Sequence, residues 1–569
     1  MLTGIKFKNY KAFLEGHLEI KPVTILLGAN SVGKSSLIQL FLMLQETALA
    51  KNYKSALKLH GGLFSLGEGI NLFRNKDSNN ALHFEIEFNE PALSETIQRD
   101  FFDRYFDEVI NFSYFIFSRL PNNNNGSDLK FIQEKFIKDK SSNQKQLRDI
   151  GLFGHGKRDL NKSSREDFIS LITRTNDFIK KIKDRDIFKE ITQSIFYFRS
   201  NFVGQMLLHN KDEIILTYDF LKKLQEIKNS EKVSIEYDFM YGDSALKIKN
   251  FKLKIGGFEI VNVNFNDVSG AESFITSDIV DFEKINSKQI HDFKQVFKNN
   301  KTVFSFIENY EYTEHNNSVF CFYFINFISQ VINKLEESFN TQKINYVSPL
   351  RAHPKRYYFL DKAKANSFLD TLDGEAIAEI LKEDSTLKES VNNWFKKFNL
   401  HIDVGPIKDI IHQIVVKQNS LDLDITDVGF GVSQVLPVII QGFLSKERSI
   451  TLVEQPEIHL HPKMQADLAD LFIDIAVRKH TKKDGFVTNK YLIIETHSEY
   501  LLKRLRRRIS ENKITPDKVA IYYLEPQEDT KSAQIKRIDI SEKGAFDWPK
   551  DFYTGDLADD ITEFLRNQI

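Results

Sequence analysis

A glycine-bounded loop near the start of the chain carries residues suited to holding phosphate. Residues 28–35, GANSVGKS, fit the pattern G-x-x-x-x-G-K-[ST]. Glycines at both ends let the backbone turn with positive φ, so that successive amides point at a phosphate. Lys34 supplies a cation for the terminal phosphates, and the Ser35 hydroxyl supplies a ligand for Mg²⁺. The pattern therefore predicts a site for ATP and Mg²⁺, with contacts from Asn30, Ser31, Val32, Gly33, Lys34, Ser35 and Ser36.

A second candidate group, the acidic motif, occupies residues 450–462, ITLVEQPEIHLHP. An apolar run that ends in an acid is typical of a central parallel strand whose carboxyl end faces such a loop. Glu454 is the first carboxylate at that end, and Glu457 follows three residues later. His459 and His461, together with His497, also suggest a metal site, which is the weaker interpretation because no acid-histidine cluster of zinc spacing accompanies them.

The third candidate group follows another apolar run, YLIIETHS, at residues 491–498. We expect a buried strand that leads to His497, and a helix that begins near Ser498. One side of this helix is apolar, and its other face carries five cations: Lys503, Arg504, Arg506, Arg507 and Arg508. These cations suit contacts with the phosphates of a nucleic acid. A solvated helix face is the competing interpretation.

The elements that must position these groups are those of an α/β protein. An apolar strand precedes residue 28, and an amphipathic helix is predicted over residues 34–46, with its positive dipole end toward the phosphates. Alternation over residues 1–20 predicts a hairpin ahead of that strand. We therefore predict one sheet, partly parallel and partly mixed, that brings the three groups to one edge.

Two further segments of the second half suit this arrangement. Within DVGFGVSQVLP, residues 427–437, glycines lead into an apolar helix and leave amides exposed at its start. An apolar strand at residues 344–347 precedes a proline-bounded turn that contains Arg351. Either this arginine reaches a phosphate or an acidic partner, or it braces the turn. The sequence leaves both interpretations open.

Residues 91–342 differ in pattern from both flanks and are predicted to be an insertion into one nucleotide-binding head. Helical spacing marks their Phe- and Lys-rich part, and alternation marks a strand-rich part in which Gly256 and Gly257 indicate a tight hairpin. The lysine-rich faces are interpreted as solvated surface, with partner docking as the alternative. The two flanks, residues 1–90 and 343–569, are predicted to be the halves of the head.

Length and composition narrow the class of protein. A chain of 569 residues exceeds what one core usually supports, so at least two lobes are expected. Lys and Arg total 78 against 79 Asp and Glu, which argues against a protein that coats polyanions with its whole surface. A single cysteine, Cys321, excludes an intrachain disulfide framework, and no apolar run is long enough for a membrane span. We therefore expect a soluble, cytoplasmic protein with no membrane partner.

In chain order these motifs resemble the ABC-type ATPase heads of SMC, RecF and OLD proteins. The similarity rests on the opening IKFKNYK, the phosphate-binding loop, EQPEIHLHP and IIETHS. It implies that Glu454 holds Mg²⁺, usually through water, and that His497 hydrogen-bonds the γ-phosphate. It also implies that Gly431 and Ser433 belong to a degenerate signature segment. In such heads this segment completes the ATP site of the opposite protomer, which implies a homodimer with two composite sites.

One position departs from that family pattern. Gln455 stands where the resemblance expects the catalytic glutamate, and an amide orients water but cannot accept a proton as a carboxylate does. Three interpretations follow from this departure. Glu457 acts as the base, or hydrolysis is slow and ATP mainly clamps a dimer, or the residue was changed to trap ATP. The sequence does not choose among them.

The combination of EQPEIHLHP, IIETHSEYLLKRLRR, VAIYYLE and FDWP resembles prokaryotic AAA-type ATPases of antiphage defence, such as Septu-type and retron-linked subunits. The resemblance covers about residues 1–90 and 344–569. It implies a homodimer or higher oligomer that regulates a separate effector, an HNH-type nuclease by fold-level analogy. Too few residues follow His497 for a Toprim nuclease domain like that of full-length OLD proteins, so we expect any nuclease activity to reside in that partner.

Other classes stay open as alternatives. A RecF-like DNA-repair ATPase would act on DNA directly. Salt-dependent DNA binding through the five cations of the helix that begins near Ser498 would favour it. A transporter's ATPase subunit is disfavoured by the long insertion and by the acidic motif. A binding scaffold without turnover is a further alternative because of Gln455.

Overall fold

The computed structural model describes an α/β protein built around one large sheet. It describes residues 1–50, 53–119, 125–136, 164–182, 211–265, 274–282, 285–310, 318–359, 376–408, 411–419, 421–477, 490–527, 529, 532–548 and 566. The strands are β1 (Leu2–Tyr10), β2 (Phe13–Glu19), β3 (Val23–Gly28), β4 (Leu82–Asn89), β5 (Lys232–Gly242), β6 (Ala245–Ile255), β7 (Phe258–Asn264), β8 (Ile275–Thr276), β9 (Ile344–Val347), β10 (Tyr358–Phe359), β11 (Leu400–Lys408), β12 (Ile411–Gln418), β13 (Leu421–Asp424), β14 (Ile450–Glu454), β15 (Tyr491–Glu495), β16 (Val519–Gln527) and β17 (Ser532–Ile538).

Thirteen of these strands form one sheet, in the order β8-β7-β6-β5-β4-β1-β2-β17-β16-β3-β15-β14-β9. The strands β16, β3, β15, β14 and β9 run parallel to one another. On the other side of the sheet, β1, β2 and β4 to β8 pair in antiparallel fashion, and β1 and β2 form the predicted hairpin. The predicted α/β class with a mixed sheet is therefore confirmed.

The helices cover both faces of this sheet. They are α1 (Lys34–Ala48), α2 (Leu93–Thr96), α3 (Arg104–Arg119), α4 (Asn125–Phe136), α5 (Arg165–Ile182), α6 (Lys211–Glu226), α7 (Ser287–Val296), α8 (Val319–Glu337), α9 (Ala376–Glu383), α10 (Ser385–Phe395), α11 (Phe430–Leu444), α12 (Pro462–Val477) and α13 (Glu499–Ser510). The helix predicted over residues 34–46 is present as α1 and ends two residues later than predicted. Among the described residues, no helix is long and apolar enough to cross a membrane.

Strand β3 shows why both faces need cover. All six of its residues are buried. Because side chains alternate along a strand, Leu26 packs into the hydrophobic core on one face, whereas Ile25 and Leu27 pack into the core on the other. Each such side chain stabilises the fold by about 1.5–3 kcal/mol on burial. The strand that leads into the phosphate-binding loop is thereby fixed from both sides.

The predicted insertion contributes strands to this sheet and packs helices beside it. Strands β5 to β8 extend the antiparallel side, and Gly256 and Gly257 form the predicted hairpin turn with φ of 56° and 92°. Aromatic stacking ties α5 to α6, where the rings of Phe168 and Tyr218 lie 4.2 Å apart. Much of the Phe- and Lys-rich helical segment lies outside the described residues. The division of the chain near residues 90 and 343 stays a prediction.

A smaller sheet follows β9 along the chain. It has the order β10-β12-β11, and β13 pairs with β12 at the edge that β10 also occupies. Helices α9 and α10 pack against β11, and α10 also packs against α11. The smaller sheet therefore connects through helices to the region that carries the acidic motif.

Candidate nucleotide-binding site

The phosphate-binding loop, residues 28–35, connects the end of β3 to the start of α1. Gly28 and Gly33 adopt φ of 141° and 100°, and Ser31 between them adopts 65°. A Cβ at Gly28 would lie 2.3 Å from the carbonyl oxygen of Leu524, and a Cβ at Gly33 would lie 2.7 Å from the ring of Phe13. Glycine is therefore required at both positions, for backbone conformation and for space.

The tip of this loop is exposed and its base is buried. Asn30, Ser31 and Ser35 are exposed, and Ser36 is half-buried. Val32 packs into the hydrophobic core on the α1 side of the sheet. Helix α1 begins within the loop and has no side-chain cap at its N-terminus. Its first amides and its positive dipole end therefore lie at the loop, which suits an anion.

The side chain of Lys34 is buried under the loop and is only 4% exposed. Its Nζ donates hydrogen bonds to the carbonyl oxygens of Ala29 at 2.7 Å and Gly28 at 3.0 Å. The same Nζ lies 3.9 Å from Oε1 of Glu495. Burial lowers the pKa of Lys34, and the nearby charges of Glu495 and Glu457 oppose that change. The ammonium group therefore lies between the loop and a group of acids.

Glu454 ends β14 beside this loop and is 8% exposed. The hydroxyl of Tyr346, on the neighbouring strand β9, donates a hydrogen bond to its Oε1 at 2.8 Å. Burial raises the pKa of Glu454, and hydrogen bonds from Tyr346 and Ser35 lower it in part. The structure thus brings together Ser35 and Glu454, the two side chains predicted to serve Mg²⁺.

A second buried carboxylate, Glu495, lies beside the first and was missed by the sequence analysis. It ends β15, is 4% exposed, and its Oε2 accepts a hydrogen bond from Ser35 Oγ at 3.3 Å. Burial and the charge of Glu454 raise the pKa of Glu495 to about 7, against the opposing effect of Lys34. The signal that identified Glu454 also applied here, because an acid ends an apolar strand next to β3.

Arg351 braces the end of β14 instead of reaching outward to a phosphate. It is 6% exposed and donates to the carbonyl oxygens of Glu454 at 2.9 Å, Gln455 at 3.2 Å and Gln434 at 3.3 Å. Burial lowers the pKa of its guanidinium to about 10. Gln455 adopts a φ of 45°, which is uncommon for a residue other than glycine. The arginine thus links the start of α11 to the strained backbone at Gln455.

Glu457 connects the acidic motif to the third group. Its Oε2 accepts a hydrogen bond from Thr496 Oγ1 at 2.8 Å, and its Oε1 accepts one from the His497 amide at 2.7 Å. Burial raises the pKa of Glu457, and these hydrogen bonds oppose the change. Burial and the charge of Lys34 lower the pKa of His497. Lys34, Glu454 and His497 therefore lie around the same end of the parallel strands.

The start of α11, which contains the candidate residues Gly431 and Ser433, packs against the acidic motif of the same chain. A Cβ at Gly431 would lie 2.8 Å from the carbonyl oxygen of His459. Ser433 is 5% exposed, whereas Gly429 at the start of α11 is exposed. These contacts join Gly431 to the acidic motif of its own chain. The structure does not bring Ser433 to a surface from which its side chain could reach a second chain.

The five cations of α13 divide into two groups, which corrects the prediction of one continuous basic face. Arg504 lies 3.3 Å from Asp467 and 3.2 Å from Asp470, both on α12. Arg508 Nε lies 2.5 Å from Asp470. Arg504 and Arg508 are one helical turn apart, so both face α12 and pair with its acids.

The remaining three cations border a shallow hollow of about 260 Å³, lined also by Ser510 and by residues 543–545. Arg506 donates from Nε to the carbonyl oxygen of Gly544 at 3.1 Å and packs over the rings of Phe546 and Trp548. The side chains of Lys503 and Arg507 are 58% and 65% exposed, and each pairs with an acid on its own helix or at the helix end.

The chemistry of the acids suits Mg²⁺ better than a histidine-bound metal. Among the residues that the structure describes, no group of three or more His, Cys, Asp and Glu side chains is placed to hold a metal alone. His461 is exposed, and its Nδ1 accepts from the amide of Lys463 at 3.3 Å. Mg²⁺ needs only one or two carboxylates because waters and phosphate oxygens complete its octahedron. Ser35 and Glu454 fit that requirement.

Comparison with solved structures finds similar folds of low identity. The SMC head domain from Thermotoga maritima is 8% identical, with a TM-score of 0.32 over 95% of this chain and 99% of that chain. The SmcHead bound to the C-winged helix domain of ScpA is 10% identical, with a TM-score of 0.35 over 95% and 98%. The Pyrococcus furiosus Smc head domain bound to the C-terminal domain of ScpA is 8% identical, with a TM-score of 0.30 over 99% of each chain.

Comparison with protein families gives a clearer assignment. No curated protein sequence matches the chain. The family model of the AAA ATPase domain matches residues 1–502, a span that holds the phosphate-binding loop, the acidic motif and His497. Nucleotide binding is the property that this family and the described geometry share. The chain belongs to the AAA ATPase domain family.

Proposed function

We propose that this chain binds Mg-ATP at the described site, hydrolyses it slowly, and uses the bound nucleotide to hold two copies together. The observation that supports the proposal is the convergence of three separate segments at one sheet edge. Lys34, Glu454 and His497 lie around the carboxyl ends of β3, β14 and β15, which are neighbours in the sheet. Ligands of open parallel sheets bind at this end of the strands.

Binding of ATP draws on groups that already face the loop. The amides at the start of α1 donate hydrogen bonds to the phosphates, and the Lys34 ammonium exchanges two backbone carbonyl partners for phosphate oxygens. Ser35 and Glu454 would hold Mg²⁺, which when bound neutralises charge on the terminal phosphates. Tyr346 keeps the Glu454 carboxylate oriented through its 2.8 Å hydrogen bond.

Hydrolysis is proposed to be slow because the expected base is an amide. A positioned general base contributes about 10²–10⁴ in rate. Gln455 orients water without taking its proton. Both oxygens of Glu457 already accept hydrogen bonds from Thr496 and His497, which supports a positioning role for this carboxylate. ATP binding, more than turnover, is therefore proposed to set the state of the protein.

Dimerisation is proposed to place the start of α11 from one copy over the nucleotide of the other. Gly429 is exposed there, and the helix dipole favours an anion. Since Ser433 is buried, backbone amides near Gly429 and Gly431 are proposed to make this contact. Size-exclusion chromatography with light scattering, with and without ATP, tests it. A molecular mass that stays monomeric at saturating ATP would contradict the dimer.

The partner is proposed to be a separate effector nuclease in antiphage defence, and the support for this step is the resemblance of the motif series. A plaque assay on cells that carry this chain with its neighbouring reading frames tests the proposal. Lys34→Ala should abolish protection. Protection by the chain alone would contradict the need for a separate effector.

Nucleotide binding is tested with a fluorescent ATP analogue. Lys34→Ala should weaken binding by at least about 100-fold, because the cation beside the phosphates is lost. Lys513→Ala, at an exposed lysine, is the matched control and should bind normally. Gln455→Glu places a carboxylate at the position of the expected base, so it should raise the rate of ATP hydrolysis by about 10²-fold. Equal binding by the protein and Lys34→Ala would refute the proposed site.

The basic hollow supports a second candidate, direct action on DNA as in RecF-like ATPases. Lys503, Arg506, Arg507 and Lys543 line it. Binding of a DNA duplex should then fall steeply with salt, and Lys503→Ala with Arg507→Ala should reduce the slope by about two. Lys513→Ala, at an exposed lysine that does not line the hollow, is the control. Binding that does not depend on salt would exclude this candidate.

A further inference from the structure

Glu495 has no role in the function proposed above, although it contacts the central residues of the site. Backbone pairing places it beside Leu26 of β3 and beside Glu454 of β14. Its carboxylate lies 3.9 Å from Lys34 Nζ and 3.3 Å from Ser35 Oγ. At 4% exposure it is screened little by solvent. Its position follows from the sheet register, so the carboxylate stays at the phosphate-binding loop.

Glu454 and Glu495 place two buried carboxylates beside the residues that would hold the phosphates. Ser35 is within hydrogen-bonding reach of both Glu454 and Glu495. Lys34 is the cation beside Glu495, and a bound triphosphate would draw this ammonium toward its own oxygens. The two buried carboxylates would then face the phosphates with less positive charge between them. Buried like charges are strongly unfavourable unless a cation compensates them.

We propose that Glu495 is a second carboxylate of the Mg²⁺ position, beside Ser35 and Glu454, and that it makes ATP binding depend on the metal. The inference rests on the proposed function, because it assigns a residue to the same site. Mg²⁺ takes carboxylate and hydroxyl oxygens and leaves places for water and phosphate. Without the metal, the Glu495 carboxylate repels the nucleotide. With the metal, the same carboxylate attracts the complex.

The test compares the dissociation constant of a fluorescent ATP analogue in EDTA with that in Mg²⁺. Glu495→Gln keeps the size of the side chain and removes its charge. We expect binding to tighten about tenfold in EDTA and to weaken in Mg²⁺, so that the ratio of the two constants falls by more than about tenfold. Glu447→Gln, at an exposed carboxylate before β14, is the control and should keep the ratio. An unchanged ratio in Glu495→Gln would overturn the inference.

A second measurement separates a metal ligand from a merely structural acid. Mn²⁺ bound in the presence of a non-hydrolysable ATP analogue is counted by electron paramagnetic resonance. Glu495→Asp keeps the charge but withdraws the carboxylate, so it should bind Mn²⁺ more weakly and still disfavour ATP in EDTA. Normal Mn²⁺ affinity in both variants would refute the assignment. Circular dichroism checks that both variants are folded.

The two proposals fail in distinguishable ways. Absence of ATP binding by the unchanged protein in EDTA and in Mg²⁺ would refute the proposed function and this inference with it. Binding that Lys34→Ala abolishes, together with an unchanged ratio in Glu495→Gln, would leave the proposed function in place and remove only the role of Glu495.

Discussion

The hydroxyl of Tyr346 provides a sensitive test of the acidic site. Tyr346→Phe removes one oxygen and leaves the ring, so the packing of β9 against β14 is kept. The lost hydrogen bond, 2.8 Å to Glu454 Oε1, favours the ionised carboxylate. A hydrogen bond to a charged group contributes about 1.5–3 kcal/mol, and 1.36 kcal/mol corresponds to one pKa unit. The pKa of Glu454, which the Tyr346 hydrogen bond lowers, should therefore rise in the variant.

The measurable result is a shift in pH dependence. Metal ligands must be deprotonated, so Mg²⁺-dependent ATP binding should reach half its maximum at a higher pH in Tyr346→Phe, by about one unit or more. Binding titrations with a fluorescent ATP analogue at saturating Mg²⁺, across the acid to neutral range, give both midpoints. Tyr522→Phe is the control, since its hydroxyl bonds the backbone of Glu19. Equal midpoints in the protein and in Tyr346→Phe would refute the reasoning about Glu454.

Three further predictions test other parts of the molecule. Gly33→Ala should abolish ATP binding, measured by fluorescence titration, because its φ is 100° and the ring of Phe13 fills the space of a Cβ. Arg351→Met should lower the free energy of unfolding, measured with urea, by about 2–4 kcal/mol. The variant leaves three carbonyl oxygens without their hydrogen bonds, and removal of the buried guanidinium charge offsets part of that cost. Burial raises the pKa of Glu213 above its ordinary 4.5, so the stability it contributes is present below that pH and is lost as pH rises through the folded value. Thermal unfolding of Glu213→Gln should therefore show a smaller loss of stability between acid and neutral pH.

The elements around the loop were predictable because local patterns determine them. An apolar strand, a glycine turn and an amphipathic helix follow one another within residues 23–48, and the observed β3 and α1 match this order. The strand that ends at Glu454 was likewise predicted to be parallel, since an apolar run buried on both faces is typical of parallel strands. Gly256 and Gly257 form the predicted hairpin turn with positive φ, and Gly256 also leaves no room for a Cβ, which would lie 2.3 Å from the carbonyl oxygen of Lys228.

Side-chain partners were not predictable in the same way, because they depend on which elements become neighbours. The sequence shows that Arg504 and Arg508 share a helix face, but not that α12 lies against that face with Asp467 and Asp470. Arg351 is similar, because its three acceptors are backbone carbonyls from α11 and from the end of β14. Such contacts follow from the tertiary arrangement and leave no periodic signal along the chain.

The same contacts join the nucleotide site to the basic hollow. The acidic motif runs directly into α12, which begins at Pro462, and His497 runs directly into α13, whose N-terminus is capped by Ser498. Ion pairs from Arg504 and Arg508 to Asp470 hold these two helices together. Both helices of this pair therefore begin at the nucleotide site, directly after the acidic motif and directly after His497. The exposed cations of α13 therefore lie on a helix pair that begins at the nucleotide site and is held together by ion pairs.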